Sequence, residues 1–107
     1  MGDPAGIGPE VTVKALSDRH ISKLAHFLVV GDFFVIDKVR KSLRAKPEIS
    51  LLDLANVRTT NFAFGIQNPA FGKASMEYID KALGLLKAGE ADVLVTAPVT
   101  QVHYDVK

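Results

Sequence analysis

The chain opens on Gly2-Asp3-Pro4-Ala5-Gly6-Ile7-Gly8-Pro9-Glu10, which holds three glycines and two prolines in nine residues. Glycine adopts positive φ without steric cost, and proline fixes φ near the helical value, so this backbone follows a special path. Pro9 suits the first position of a helix, and Glu10 then places a negative charge in the favourable first turn. The stretch therefore predicts a tight loop, here called the glycine loop (residues 2–10), that leads into a helix.

The glycine loop is predicted to bind an anionic ligand, because free backbone N–H groups at a helix start attract phosphates and carboxylates. It lacks the dinucleotide fingerprint, since Val11 stands where the third glycine belongs, and no Gly-Lys-Ser/Thr of a P-loop follows. Gly6, Ile7 and Gly8 are predicted to line a cofactor pocket, since glycine permits close approach of a ligand. Asp3 has two interpretations: a hydrogen bond to a ribose or an active-site water, or an Asx turn within the loop.

Composition indicates one small domain, since 107 residues with 48% hydrophobic side chains suffice for a core. The net charge of +1, with no basic cluster, argues against nucleic acid as a partner. No apolar run reaches the length of a membrane span, and no leader precedes the glycine loop, so no membrane role is expected. The absence of cysteine excludes disulfides and fits a reducing cytoplasm.

Apolar runs and helical periodicity alternate along the chain, which predicts an α/β order with parallel strands joined by crossovers. The apolar runs predict strands at 27–30, 49–54 and 92–96, and the helical patterns predict helices at 9–17, 33–44 and 73–88. Residues 55–71 have no regular pattern, and a loop of this length is usually functional, mobile or an assembly element.

Three finer predictions concern the ends and faces of these elements. The Asp32 side chain is predicted to cap helix 33–44, and segment 92–96 to be a buried strand centred on Val93, Leu94 and Val95. Helix 73–88 is predicted to pack through a single apolar stripe. That stripe consists of Met76, Ile79, Ala82, Leu83 and Leu86.

Ligands of open α/β sheets bind outside the carboxyl ends of the strands. Gly31-Asp32 and Thr96-Ala97-Pro98 both follow predicted strands, and the Thr96 hydroxyl is predicted either to contact a substrate or to be a polar strand end. The glycine loop would lie at the same edge if a strand came before it, but Met1 alone precedes Gly2. We therefore expect residues 1–107 to be the leading piece of a longer enzyme.

Three stretches, in this order, carry a resemblance to a known family: the glycine loop, Gly72-Lys73-Ala74-Ser75 leading into Tyr78, and Ala91 to Val99 with its Thr-Ala-Pro. Together they resemble the 4-hydroxythreonine-4-phosphate dehydrogenases of pyridoxal phosphate biosynthesis. The resemblance implies a partial, truncated three-layer α/β sandwich with a mainly parallel sheet, like isopropylmalate and isocitrate dehydrogenases. Residues 1–107 would be a single partial α/β domain, the N-terminal piece of a longer dehydrogenase.

The resemblance also implies a reaction. A divalent metal ion polarises the substrate hydroxyl of 4-phosphooxy-L-threonine or a related 4-phosphorylated hydroxy acid, a hydride passes to NAD, and the β-keto acid decarboxylates. It further implies a cytoplasmic homodimer with active sites between subunits. The family's metal histidines and Gly-His-Thr motif lie beyond this chain, so no catalytic residue or metal ligand is assigned here. The isolated chain is expected to be inactive.

The sequence departs from the family pattern at several positions, and other functions are compatible with it. His20, His26 and His103 have no metal-ligand spacing, and Thr100 and Gln101 stand where the family usually has a lysine after the Thr-Ala-Pro. The alternatives are a non-catalytic module that binds an anion or nucleotide, a phosphotransacetylase-like enzyme fragment, and a non-functional fragment that self-associates.

Overall fold

The computed structural model describes residues 1–44, 47–57, 62–66 and 68–98. Helices and strands alternate in the predicted α/β order, because each apolar run is separated from the next by a helix with its own polar face. The elements are α1 (Gly8–Ser17), α2 (Arg19–Ser22), β1 (Leu28–Gly31), α3 (Phe33–Leu43), β2 (Ser50–Asp53) and α4 (Pro69–Lys87).

A short parallel sheet lies at the centre of the fold. β1 and β2 pair from Leu28 opposite Ser50 to Gly31 opposite Asp53, and α3 supplies the crossover that parallel pairing requires. The chain start lies on the other side of β1: the Met1 amino group donates to the Val30 carbonyl at 2.9 Å. The carboxyl ends of β1 and β2 and the glycine loop therefore share one edge of the sheet.

The predicted third strand at 92–96 is wrong for the described residues, because this segment forms no strand and the sheet consists of β1 and β2. It meets the glycine loop where the Asp3 N–H donates to the Pro98 carbonyl at 3.1 Å, and one such bond is too few to define a strand. Val93 and Val95 are 76% and 82% exposed, so the predicted buried centre is also wrong. Leu94 alone of the three packs against the core.

Helix α4 packs against the sheet through a different face from the predicted one. Its buried residues are Phe71, Gly72, Ala74, Ser75, Tyr78 and Ala82, of which Ala82 also belongs to the predicted stripe. Four of them, Phe71, Ala74, Tyr78 and Ala82, join Val30, Val35 and Val57 in the main cluster. Met76 and Leu83 from the predicted stripe are each 40% exposed. The helix carries two apolar faces, and the one that packs on the core combines small residues with Phe71 and Tyr78.

The ends of α4 follow standard capping chemistry. Its first residue is Pro69, and the Asn68 side chain accepts from the Ala70 N–H at 2.9 Å, so the helix begins four residues before the predicted position. Gly89 follows it with φ +76°, as predicted for a glycine stop. No helix among the described residues is long and apolar enough to cross a membrane.

The predicted irregular region 55–71 is confirmed in part. Residues 55–57 and 62–66 contain no helix or strand in the structure, whereas Phe71 lies inside α4. Residues 58–61 and 67 lie outside the described residues. The proposal that this region is mobile or forms a subunit contact stays a prediction.

Candidate functional site at the carboxyl edge of the sheet

The glycine loop is held by its own backbone and by Asp3. The Asp3 carboxylate accepts from the Ala5 N–H at 2.9 Å, and its carbonyl accepts from the Gly6 N–H at 3.1 Å. This is the geometry of an Asx turn, and the Asp3 side chain is only 2% exposed. The geometry therefore favours a loop-forming role for Asp3, and a ribose contact stays a prediction.

Close packing within the protein accounts for two glycines of the loop. A Cβ on Gly8 would lie 2.3 Å from the Met1 carbonyl oxygen and 3.2 Å from the Ala97 Cβ. A Cβ on Gly2, whose φ is +72°, would lie 2.4 Å from the Pro98 carbonyl oxygen. These positions require glycine whether or not a ligand binds, because the obstacle at each is main chain.

Only a small part of the glycine loop is exposed to solvent. Gly2 to Ala5, Gly8 and Pro9 are buried, whereas Gly6 is half-buried and Ile7 is 60% exposed. Of the residues predicted to bind a cofactor, Gly6 and Ile7 are thus the ones that a ligand could reach directly. Thr96 is exposed and adjoins Ala97, which packs on Gly8, so the predicted substrate contact lies at the same edge.

A buried polar pair lies beneath this edge, where β1 ends. The Tyr78 hydroxyl donates to Asp32 Oδ2 at 2.5 Å, and the Val57 N–H donates to Asp32 Oδ1 at 3.2 Å. Asp32 and Tyr78 are each 2% exposed. Burial raises the pKa of Asp32 although the hydrogen bonds from Tyr78 and Val57 oppose the shift. Burial, followed by the bond to Asp32, also raises the pKa of Tyr78.

The predicted capping role of Asp32 is wrong, because Asp53 provides the side chain instead. Asp32 occupies the N-cap position of α3 but makes no side-chain cap bond. Asp53 Oδ1 accepts from the Phe33 N–H at 3.1 Å and from the Ala55 N–H at 3.0 Å. The parallel register places Asp53, the last residue of β2, opposite Gly31. Asp53 therefore caps α3, while Asp32, which directly follows β1, contacts Tyr78 in the core.

Two further polar residues, Asn56 and Asp53, lie near the Asp32–Tyr78 pair. Neither was predicted from the sequence to have a role here. The Asn56 backbone N–H is directed to Asp32. The Asn56 side-chain amide is buried without a hydrogen-bond partner among the described residues. An unpaired buried polar group costs about 1–3 kcal/mol. The sequence signal for Asn56 was its position just after the apolar run at 49–54, whereas Asp53 lies within that run.

Metal binding is not provided by the residues that the structure describes. Within residues 1–44, 47–57, 62–66 and 68–98, no group of three or more His, Asp or Glu could hold a metal ion. His20 and His26 are exposed, and His103, Thr100 and Gln101 lie outside the described residues. Metal ligands elsewhere in a longer protein remain a prediction.

Asp32 should make stability depend on pH. Its folded pKa is raised above the ordinary value of 3.8, so the folded chain binds more protons than the unfolded chain between the two values. The contribution of Asp32 to the free energy of unfolding should be complete below pH 3.8 and decline as pH rises through the folded pKa. Urea unfolding of the parent and Asp32→Asn from pH 4 upward tests this. A parent-minus-variant difference that grows with pH would contradict it.

Comparison with known proteins adds a family. A family model described as pyridoxal phosphate biosynthetic protein PdxA matches residues 11–105. The 4-hydroxythreonine-4-phosphate dehydrogenase of Synechocystis sp. is 34% identical over 110 residues, which cover 94% of this chain and 32% of that protein. A Clostridium botulinum protein provisionally named D-threonate 4-phosphate dehydrogenase is 31% identical over 117 residues, covering 94% of this chain and 35% of its own.

A solved structure with a similar fold belongs to a protein of the same name as the Synechocystis relative. The crystal structure of a 4-hydroxythreonine-4-phosphate dehydrogenase from Burkholderia phymatum superposes with a TM-score of 0.87 at 27% identity, over 98% of this chain and 36% of that one. The chain thus spans about a third of the length of the relatives it matches. The family model covers most of the chain, so the resemblance drawn from the three stretches together is confirmed; its match begins at residue 11, directly after the glycine loop. This chain belongs to the family of the pyridoxal phosphate biosynthetic protein PdxA.

Proposed function

We propose that this chain is the glycine-loop part of an NAD- and metal-dependent dehydrogenase that oxidises and decarboxylates 4-phosphooxy-L-threonine or a related 4-phosphorylated hydroxy acid. The observation that carries the proposal is the packing of Ala97 on Gly8, which brings the glycine loop and the Thr-Ala-Pro segment together at the carboxyl edge of the sheet. The two curated relatives support the substrate class, since both names specify a dehydrogenase and a 4-phosphate.

The residues described here suit binding and orientation. Bound NAD would supply the hydride acceptor, and a divalent metal ion would supply a positive charge to polarise the substrate hydroxyl. Gly6 and Ile7 provide an exposed surface at the start of α1, which fits a cofactor that approaches the backbone closely. Thr96 offers an exposed hydroxyl at the same edge. The described residues hold no metal-ligand group, so the metal ligands would come from the remaining part of the longer enzyme.

The proposal extends to the whole protein. Residues 1–107 form a single partial α/β domain at the N-terminal side of a longer enzyme, with the three-layer arrangement of isopropylmalate dehydrogenase. The longer enzyme is a cytoplasmic homodimer whose remaining part supplies the metal ligands. The chain covers about a third of the length of each relative, which supports the assignment of the metal ligands to the remaining part.

A chimera tests the function. This chain, joined to the remaining two-thirds of the Synechocystis relative, should produce NADH from 4-phosphooxy-L-threonine only when a divalent metal is present. D-threonate 4-phosphate should be assayed in parallel as the second candidate substrate. Thr96→Val should raise KM about tenfold through loss of a hydrogen bond, whereas Thr12→Val on α1 should leave KM unchanged.

The isolated chain provides the companion measurement. It should form no NADH with either substrate, with metal and NAD added, because the described residues contain no metal-ligand group. A metal-dependent rate from the isolated chain would contradict that expectation. A chimera that binds NAD yet makes no NADH under any condition would instead favour the non-catalytic nucleotide-binding module.

A further inference from the structure

We propose that Phe64, with Ile7 and Ile66, forms an apolar platform that holds a planar ring of the dinucleotide whose remainder lies at the glycine loop. The inference rests on the proposed function, because it assigns part of the same ligand to residues outside the motif. Neither the family resemblance nor the relatives' names single out this loop. The three residues are called the ring platform below.

A hydrogen bond places the 62–66 segment directly against the glycine loop. The Gly65 N–H donates to the Ala5 carbonyl at 2.8 Å. Phe64 and Ile66 flank Gly65, and Ile7 follows Ala5 by two residues. This backbone hydrogen bond joins the two separate segments that carry the ring platform residues.

The platform residues are exposed, and the side of Gly65 where a side chain would project is open. Ile7, Phe64 and Ile66 are 60%, 47% and 49% exposed. Gly65 adopts φ +83°, and a Cβ placed on it would meet no atom within 4 Å. A ligand at the outer surface of the glycine loop would therefore meet apolar side chains and find free space beside Gly65.

Phe64 is anchored although half of it faces solvent. Its ring packs edge-to-face on Phe62 with centroids 5.0 Å apart. Phe62 in turn contacts Phe34 and Phe71, each with a centroid distance of 5.6 Å. Such contacts fix the ring orientation, so ordering it on ligand binding carries little entropic cost.

The size and chemistry of the platform favour a ring over a protein partner. A fully buried aromatic side chain contributes about 150–250 Å², so three half-exposed apolar residues offer a few hundred square ångströms at most. A stable protein interface needs about 800 Å² per partner. The patch matches one heteroaromatic ring, which binds aromatic faces by stacking.

Binding of NAD to the intact 107-residue chain, followed by calorimetry and by NADH fluorescence, tests the inference. Adenosine monophosphate and nicotinamide mononucleotide show which of the two rings is held. Phe64→Ala should weaken NAD binding about tenfold or more, the range found for loss of base stacking, whereas Phe64→Trp should preserve it. Phe27→Ala is the matched control, since Phe27 is 38% exposed and directly precedes β1 at the opposite end of the strand.

The outcomes separate the two proposals. The inference is overturned if Phe64→Ala binds NAD like the parent, if Phe27→Ala loses as much affinity, or if the parent binds none of the three probes. It is also overturned if the parent is a dimer in sedimentation that Phe64→Ala dissociates without any change in ring binding. A Phe64-dependent NAD site together with an inactive chimera would support the platform and refute the proposed dehydrogenase. Thermal melts of each variant exclude unfolding as the cause.

Discussion

Gly8→Ala should destabilise the chain by about 3 kcal/mol, at the upper end of the range for added volume in a packed site. The new Cβ would lie 2.3 Å from the Met1 carbonyl oxygen, well inside the optimal separation of about 3.5–4.0 Å between non-bonded atoms. The obstacle is main chain beside β1, so no side-chain rotation relieves it. Gly8→Val adds two further methyl groups at the same place and should leave little folded protein.

Gly84→Ala is the matched control for this substitution. Gly84 lies within α4, is exposed, and a Cβ on it meets no atom within 4 Å. Alanine is favoured over glycine inside a helix by about 0.8–1.0 kcal/mol, so the same change should stabilise the chain here. For a domain of this size, 1 kcal/mol shifts Tm by about 4–8 °C, so the two variants should melt on opposite sides of the parent. Equal melting of Gly8→Ala and the parent would contradict the described packing.

The glycine loop also shows which structural features a local sequence pattern can predict. Glycine and proline act on the backbone of their own residues, so a tight turn leading into α1 could be predicted from the sequence. That Gly8 faces the Met1 carbonyl depends on contact between separate segments, which no local pattern specifies. The sequence predicts that Gly8 lines a cofactor pocket. Its packing against the Met1 carbonyl requires glycine at this position even when no cofactor is bound.

The strands show the same difference between what a local pattern predicts and what contacts between separate segments decide. The apolar run before Gly31-Asp32 predicts β1 because a buried parallel strand is apolar on both faces. Val93-Leu94-Val95 has the same composition, yet Val93 and Val95 are exposed because the segment lacks a ladder with a neighbour. Composition therefore predicts the capacity to form a strand, while pairing decides whether a strand forms.

Non-local register explains the other two errors. Asp32 follows β1 and Asp53 ends β2, and sequence alone does not specify that the parallel pairing directs the Asp53 side chain to the Phe33 N–H. Helix α4 likewise offers two apolar faces. The buried face is the one that brings Tyr78 to Asp32, a partner 46 residues away.

Tyr78→Phe should lower the free energy of unfolding by about 2 kcal/mol, the range for a hydrogen bond to a charged group. The hydroxyl donates to Asp32 Oδ2 at 2.5 Å in a site where both residues are 2% exposed, so water cannot replace it without repacking. Asp32→Ala should have a larger effect, about 3 kcal/mol or more, because it leaves the Tyr78 hydroxyl and the Val57 N–H buried without their acceptor.

The double variant and a neighbouring hydroxyl make this test specific. Because the two side chains contact each other, the losses in Tyr78→Phe and Asp32→Ala should not add, and the coupling should be about 0.5–3 kcal/mol. Ser75→Ala removes another buried hydroxyl from the same helix, one that bonds the Phe71 carbonyl at 3.0 Å within the helix itself. Because that carbonyl belongs to the same helical turn, Ser75→Ala should change stability by less than about 1 kcal/mol. Urea unfolding at neutral pH measures all four variants. Additive losses at Asp32 and Tyr78, or a Ser75→Ala loss as large as that of Tyr78→Phe, would show that the pair does not join α4 to the end of β1.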